Sequence, residues 1–377
     1  MTMPKYPTPP SFIQNLVPYQ AGKPIEELAR EKGLKKISKL ASNENPLGAS
    51  PHSKKCLEKN LSQINRYPDM NGYNLKNEIA HFHNISVDRI VLGSGSEGVM
   101  TYIAKAFLSV GDEVLTSENT FIGFYIIAKA SGANLKLIPP TKEQRYDMEA
   151  LGNQITAKTK LIYLANPNNP TGTIITKHEF EKFLEKLPST TLLIMDEAYV
   201  EYANNDPLYP NSLDYNMNNL ITLRTFSKAY GLGGLRVGYG ITTKEIATTL
   251  SKVKPPFEPN LLGQMAACEA IKDNTFIEQV IKENEIQHKK LFSYLKNKGL
   301  SPIPSFTNFI TFHTKSKANS DWLFSSLLDE GVIIRKLDAN KMFDYVRVSL
   351  GTESEMDHFY KSFDKLFPQF EKMWKKA

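Results

Sequence analysis

Between residues 88 and 243 the chain repeats one pattern: a short, mostly apolar run, then a stretch with helical spacing. The runs are 90–92, 113–115, 135–138, 161–164, 192–195, 220–223 and 236–240. Several have no polar alternation, so they need cover on both faces. Helical stretches at 98–108, 125–130 and 178–187 lie between them and can supply that cover. The pattern predicts an α/β fold with a largely parallel sheet between helices.

The texture changes after Lys254-Pro255-Pro256-Phe257-Glu258-Pro259, where three prolines interrupt the chain. A long amphipathic helix is expected over 276–298. Strands at 309–312, 332–334 and 346–349 follow, with helices at 321–329 and 355–366. At roughly 150 residues per domain, 377 residues suit two or three domains. The expected division is an N-terminal arm with part of a small domain (1–46), a large domain (47–260) and a smaller α+β domain (261–377). A cleft between two domains commonly holds a ligand.

Charge narrows the partners. The 46 Lys+Arg against 40 Asp+Glu leave +6, and the basic residues follow no single stripe. Nucleic-acid binding is therefore not expected, and a small acidic or phosphorylated ligand needs fewer assumptions. Cys56 and Cys268 have no metal-ligand spacing, so no metal is expected. A reduced, cytoplasmic setting is the simple reading. Residues 1–10 are rich in Pro and Thr and do not read as a signal peptide. No apolar run approaches the ~20 residues that span a bilayer, so no membrane is expected.

Three of the expected strands end in unusual polar sequences. After 161–164 comes Asn166-Pro167-Asn168-Asn169-Pro170-Thr171-Gly172. After 192–195 comes Asp196-Glu197-Ala198-Tyr199. After 220–223 comes Thr225-Phe226-Ser227-Lys228-Ala229, followed by Gly231-Leu232-Gly233-Gly234-Leu235-Arg236. Ligands of open α/β sheets sit at the carboxyl ends of the strands, so the three segments should face one crevice.

Pyridoxal phosphate is one ligand that needs all of these groups. Its aldehyde needs a lysine. Its ring nitrogen needs a carboxylate, and its phenolic oxygen needs donors. Its phosphate needs hydroxyls, an arginine and helix N-terminal amides. Gly93-Ser94-Gly95-Ser96-Glu97 can provide the amides, because it ends a strand and opens a helix. A dinucleotide site would also use such glycines, but it expects an acid ending a second strand ~20 residues on. Glu113 is at that distance and begins its strand instead.

With these residues in place, the chain resembles the fold type I pyridoxal-phosphate aminotransferases, and within them the histidinol-phosphate aminotransferases. Further pieces carry the resemblance: Leu16-Val17-Pro18-Tyr19, Ser42-Asn43-Glu44-Asn45-Pro46, Arg66-Tyr67-Pro68-Asp69, Ile334-Arg335 and Val346-Arg347-Val348-Ser349. The resemblance implies a large domain with a mostly parallel seven-stranded sheet. It also implies transfer of the amino group of L-glutamate to imidazole-acetol phosphate, giving L-histidinol phosphate and 2-oxoglutarate. The alternatives are an aromatic or broad-specificity aminotransferase, and a decarboxylase of threonine phosphate.

The resemblance also implies residue roles. Lys228 would link to the cofactor and carry the proton. Asp196 would pair with the ring nitrogen, and Asn169 and Tyr199 would bond the ring oxygen. Thr225, Ser227, Arg236 and the amides of Ser96 and Glu97 would hold the phosphate. Tyr67 would reach the cofactor of a second subunit, making a homodimer with shared sites. Arg347 would take the glutamate carboxylate. Arg335, Arg347 and Tyr19 would meet the substrate phosphate, and Asn43 would line the entrance. Family members usually stack a tyrosine on the ring in the loop near 124. Aligning on Ser131-Gly132-Ala133 puts Phe124 there, with Tyr125 one step away.

Overall fold

The computed structural model describes residues 7–18 and 22–376. Its early strands are β1 (Ser38–Lys39), β2 (Ile90–Gly93), β3 (Glu113–Ser117), β4 (Asn134–Ile138), β5 (Thr159–Ala165), β6 (Leu192–Asp196), β7 (Leu220–Thr225) and β8 (Gly238–Ile241). β2 to β8 form a seven-stranded sheet in the order β2-β8-β7-β6-β5-β3-β4. β8 runs antiparallel to both neighbours, and the other pairs are parallel. The strand expected from 236 begins at Gly238. Arg236 has a left-handed backbone (φ 54°) after the turn Gly233–Leu235, and so cannot join the ladder.

Both faces of the sheet are covered. Alternate residues of one strand enter different cores, because side chains point to opposite faces with period two. Leu161, Tyr163, Leu192 and Ile194 pack with Val99, Ile103 and Phe124. Ile162, Leu164, Leu193 and Met195 pack with Leu151, Phe180 and Phe183. The helix Lys177–Leu184 starts at a capping box in which Thr176 and Glu179 satisfy each other's backbone amides.

The second unit contains β9 (Ser301–Pro302), β10 (Phe309–His313), β11 (Val332–Ile333), β12 (Arg335–Leu337) and β13 (Met342–Ser349). β12-β13-β10-β9 form an antiparallel sheet. Its core includes Ile310, Phe312, Val346, Val348, Phe359 and Phe363. The N-terminal segment joins this unit: β1 pairs in parallel with β11, and Ser349 N–H donates to the Leu40 carbonyl at 2.9 Å.

The helix Leu261–Lys272 fell on the small-domain side of the expected division at 260. Here it packs against Pro51–Asn60 and Tyr73–His83. Its Ala266, Ala267 and Ala270 join Leu92, Val237 and Tyr239 in a core beside the large sheet. The long helix Asn274–Asn297 links the two units. Phe276 and Val280 pack on Ala229, while Leu291 and Leu295 enter the small unit's core. Among the described residues, no helix is long and apolar enough to cross a membrane.

Candidate active site

β5, β6 and β7 are parallel, so their carboxyl ends share one edge of the sheet. β2 points the same way, because β8 is antiparallel to both β2 and β7. A cavity of about 540 Å³ lies at that edge, lined by Ser96, Glu97, Phe121, Asn169, Asp196, Tyr199, Thr225, Ser227, Lys228 and Arg236, among others. Ala165 pairs in register with Asp196, and Thr225 lies two residues past the Asp196 partner Leu223. Ala165, Asp196 and Thr225 therefore present side chains on one face of the sheet.

Asp196 is buried. Its Oδ2 accepts the Tyr163 hydroxyl at 2.6 Å. Its Oδ1 is buried with no hydrogen-bond partner. Burial pushes the carboxyl up to about 6, and the Glu97 charge adds to this; the Tyr163 hydroxyl and the Ala198 amide oppose it. A buried, half-satisfied carboxylate is costly unless a donor or cation completes it.

Lys228 follows β7 and reaches back over the cavity. Its Nζ donates to the Ser42 carbonyl at 3.4 Å and lies 5.7 Å from the Tyr199 ring centroid. The Tyr199 hydroxyl accepts from Asn43 Nδ2 at 2.8 Å, which leaves its own proton free to donate. Asn43 has φ 55° and is held in that conformation from the small unit: its N–H donates to Ser349 Oγ at 2.9 Å, and its Oδ1 accepts from the same hydroxyl at 2.8 Å.

One end of the cavity is a cup built on a helix N-terminus. The helix Gly95–Phe107 opens there, and Gly95 has φ +74°. A Cβ on Gly238 would lie 2.3 Å from the Ser96 amide nitrogen, so only glycine lets β8 pass this close. The amides of a helix N-terminus attract anions. Arg236 Nη1 donates to Ser227 Oγ at 3.3 Å and to the Gly233 carbonyl at 3.2 Å. Thr225 Oγ1 accepts the Ser227 N–H at 3.1 Å. The side chain of Glu97 also enters the cup, where its Oε2 accepts from Arg236 Nη2 at 3.1 Å. The expected role of Glu97 involves only its amide, so the carboxylate in the cup is an addition.

A second cavity of about 140 Å³ adjoins the first. Its lining includes Gly22, Asn43, Asn169, Arg335, Asn340 and Arg347. Arg335 on β12 is the direct cross-strand partner of Arg347 on β13. Directly paired residues share a face, so both arginines project from one side of the small sheet toward the cavity they line. Arg347 donates to Asn169 Oδ1, and also to the Ala41 carbonyl at 2.8 Å. The guanidinium carbon lies 4.9 Å from the Phe309 ring centroid.

Phe124, expected to stack on a ligand ring, does not face the cavity. It is 1% exposed and stacks on Tyr163, with centroids 4.0 Å apart and planes at 9°. It lies on the inner side of the helix Ile122–Ala130, turned toward the sheet. Tyr125 is also buried, and its hydroxyl donates to backbone carbonyls at Ser117 and Glu118. The aromatic at the cavity is Phe121, three residues earlier. Tyr67 is 79% exposed and stacks on Phe257 at 4.4 Å, away from its own chain's cavity. Tyr19 lies outside the described residues.

Besides Phe121, the sequence singles out neither Tyr163 nor Asn340, nor the Glu97 carboxylate, nor the Ser42 carbonyl that receives Lys228. Period-two spacing could have found Tyr163, which shares a face with Ala165 beside the expected Asp196. The Asn340 contact, an amide donated to the Thr120 carbonyl at 2.7 Å, joins segments distant in sequence and has no local signal.

Comparison with known proteins is consistent with this geometry. The profile of the family described as "Aminotransferase class I and II" matches residues 35–363. The histidinol-phosphate aminotransferase 2 of Haemophilus influenzae is 41% identical over 355 residues, covering 94% of this chain and 96% of the relative. That of Hydrogenovibrio crunogenus is 42% identical over 357 residues, covering 94% and 95%. The crystal structure of histidinol-phosphate aminotransferase from Sinorhizobium meliloti, in complex with pyridoxal-5'-phosphate, superposes with a TM-score of 0.89 at 28% identity. It covers 98% of this chain and all of that one. The chain belongs to the class I and II aminotransferases, in the branch of the histidinol-phosphate aminotransferases.

Proposed function

We propose that the protein moves the amino group of L-glutamate to imidazole-acetol phosphate, giving 2-oxoglutarate and L-histidinol phosphate, with pyridoxal 5'-phosphate as cofactor. The observation that carries this is the pairing of Lys228 with the unpartnered Asp196 Oδ1 in one cavity that ends in an anion cup. Relatives about 40% identical over nearly the whole chain support the choice of substrate.

The residues present suit the cofactor. Asp196 Oδ1 lacks the donor that a ring N–H would bring. Tyr199 has a proton to give, because Asn43 fills its acceptor side. Asn169 Oδ1 is taken by Arg347, which leaves Nδ2 as donor to the ring oxygen. Ser96 and Glu97 amides, Thr225, Ser227 and Arg236 suit the phosphate, and Phe121 suits the ring face. When bound, the cofactor supplies an electron sink for a carbanion at the substrate Cα.

The chain's own residues do the rest. Lys228 Nζ would anchor the cofactor and, once the amino donor has displaced it, carry a proton from the donor's Cα to the cofactor's C4′ carbon; in the second half-reaction it would carry a proton the opposite way. Arg347 orients the glutamate carboxylate by a two-pronged contact. Arg335, standing beside it, adds the charge that favours a dianionic phosphate over a single carboxylate. Asn43 couples the small unit to Tyr199, so substrate held by the small unit is aligned with the cofactor oxygen.

A homodimer completes the reading. Tyr67 and Phe257 form an exposed aromatic pair suited to cover by a second copy, whose cofactor Tyr67 would reach. A cytoplasmic setting suits the unbridged Cys56 and Cys268. The test is borohydride reduction of the cofactor-loaded protein, followed by peptide mapping. The cofactor mass is expected on Lys228 alone. Trapping elsewhere, or none, overturns the proposal.

A further inference from the structure

Tyr163 is fully buried on β5, on the face of the sheet that carries Ala165 and Asp196. Its ring is sandwiched into the core by Phe124, nearly parallel at 4.0 Å. That stack leaves the phenol little freedom to swing. Its hydroxyl ends 2.6 Å from Asp196 Oδ2. The other carboxylate oxygen, Oδ1, is the one without a partner. The aromatic residue that sequence alignment assigned to the cofactor thus acts one layer away, on a tyrosine that holds the carboxylate.

We propose that Tyr163 is a positioning residue for Asp196: by donating to Oδ2 it fixes the rotation of the carboxylate and leaves Oδ1 alone to meet the cofactor's ring nitrogen. This rests on the cofactor reading above and extends it from the carboxylate to the residue behind it. Two consequences follow. A hydrogen bond given to the charged form favours that form, so Tyr163 holds Asp196 ionised against the pull of its burial. The phenol keeps its own proton, because burial and the adjacent Asp196 charge both raise its pKa well above the ordinary value. The donor is therefore present throughout the working pH range. An ionised Asp196 keeps a proton on the ring nitrogen, and a positively charged ring lowers the basicity of the nitrogen that Lys228 contributes to the adduct.

The test uses the holoenzyme and the pH titration of its visible absorbance band, which reads that nitrogen. Tyr163→Phe keeps the ring and the stack and removes only the hydroxyl. Its titration midpoint is expected to move up relative to wild type. Its cofactor affinity, measured by titrating cofactor into stripped protein, is expected to fall about tenfold, as for a lost hydrogen bond to a charged group. Phe124→Leu keeps the hydroxyl and loosens the stack that holds it, so its midpoint is expected to move in the same direction but by less than that of Tyr163→Phe. Should Tyr163→Phe not fold, fluorotyrosine at position 163 strengthens the donor and is expected to move the midpoint down.

A midpoint in Tyr163→Phe equal to wild type, or a fluorotyrosine protein with no shift, overturns the positioning role while leaving the cofactor reading intact. A wild-type protein that takes up no cofactor overturns both.

Discussion

Arg236 and Glu97 form an ion pair in the cup at the N-terminus of the helix Gly95–Phe107, with Nη2 and Oε2 3.1 Å apart and both side chains about half exposed. A carboxylate there competes with any phosphate for the guanidinium. Replacing it should free Arg236 and remove a like charge from the cup. Glu97→Gln is expected to bind inorganic phosphate about threefold more tightly in cofactor-free protein, the scale of a solvent-screened pair. Calorimetric titration reads this, and weaker phosphate binding in the variant would show that Glu97 helps the cup.

Asp196 gives a pH signature. Its folded pKa, pushed up to about 6, lies above the ordinary 3.8. The native state therefore binds more protons than the unfolded chain between those values. Its contribution is fully present below the lower value and is lost as pH rises through the upper one. In cofactor-free protein, denaturant unfolding should show wild type losing on the order of 2 kcal/mol more than Asp196→Asn between pH 4 and pH 7. Parallel stability curves for the two proteins would contradict this.

Phe121 and Phe124 separate packing from ligand contact. Phe124 is core, stacked on Tyr163. Phe124→Ala should lower unfolding free energy by about 3–5 kcal/mol, the usual range for a buried phenylalanine. Phe121, at the cavity wall and only partly buried, should cost less stability when truncated and more cofactor affinity. Thermal melts and cofactor titration on both variants test this, and the reverse pattern would restore Phe124 to the site.

Arg335 stands directly across the ladder from Arg347. Glutamate needs one guanidinium, and a phosphorylated substrate gains from two. Arg335→Ala is expected to raise the KM for histidinol phosphate at least about tenfold, with glutamate affected several-fold less. Half-reaction kinetics with each substrate separate the two, and equal losses would remove the phosphate role.

The parts legible in the sequence were those with local signals. The sheet and the positions of Asp196, Tyr199, Thr225, Ser227 and Lys228 followed from apolar runs ending in polar residues, because strand direction alone brings those ends together. Phe124 was misplaced because the residue that reaches the cleft, Phe121, stands just before the helix Ile122–Ala130 with an extended backbone, outside the helical periodicity, while Phe124 lies inside the helix and faces the sheet. The start of β8 was misplaced because nothing local announces the left-handed turn at Arg236. The contacts of Asn43 with Tyr199 and Arg347 with Asn169 join residues more than 150 positions apart, and only the packed fold shows them.

The most direct measurement is an amino-acceptor panel with glutamate as donor, comparing imidazole-acetol phosphate with phenylpyruvate and 4-hydroxyphenylpyruvate. kcat/KM is expected to be highest for imidazole-acetol phosphate, and Arg335→Ala is expected to narrow the difference. An enzyme that prefers an unphosphorylated aromatic acceptor, with or without Arg335, would contradict this.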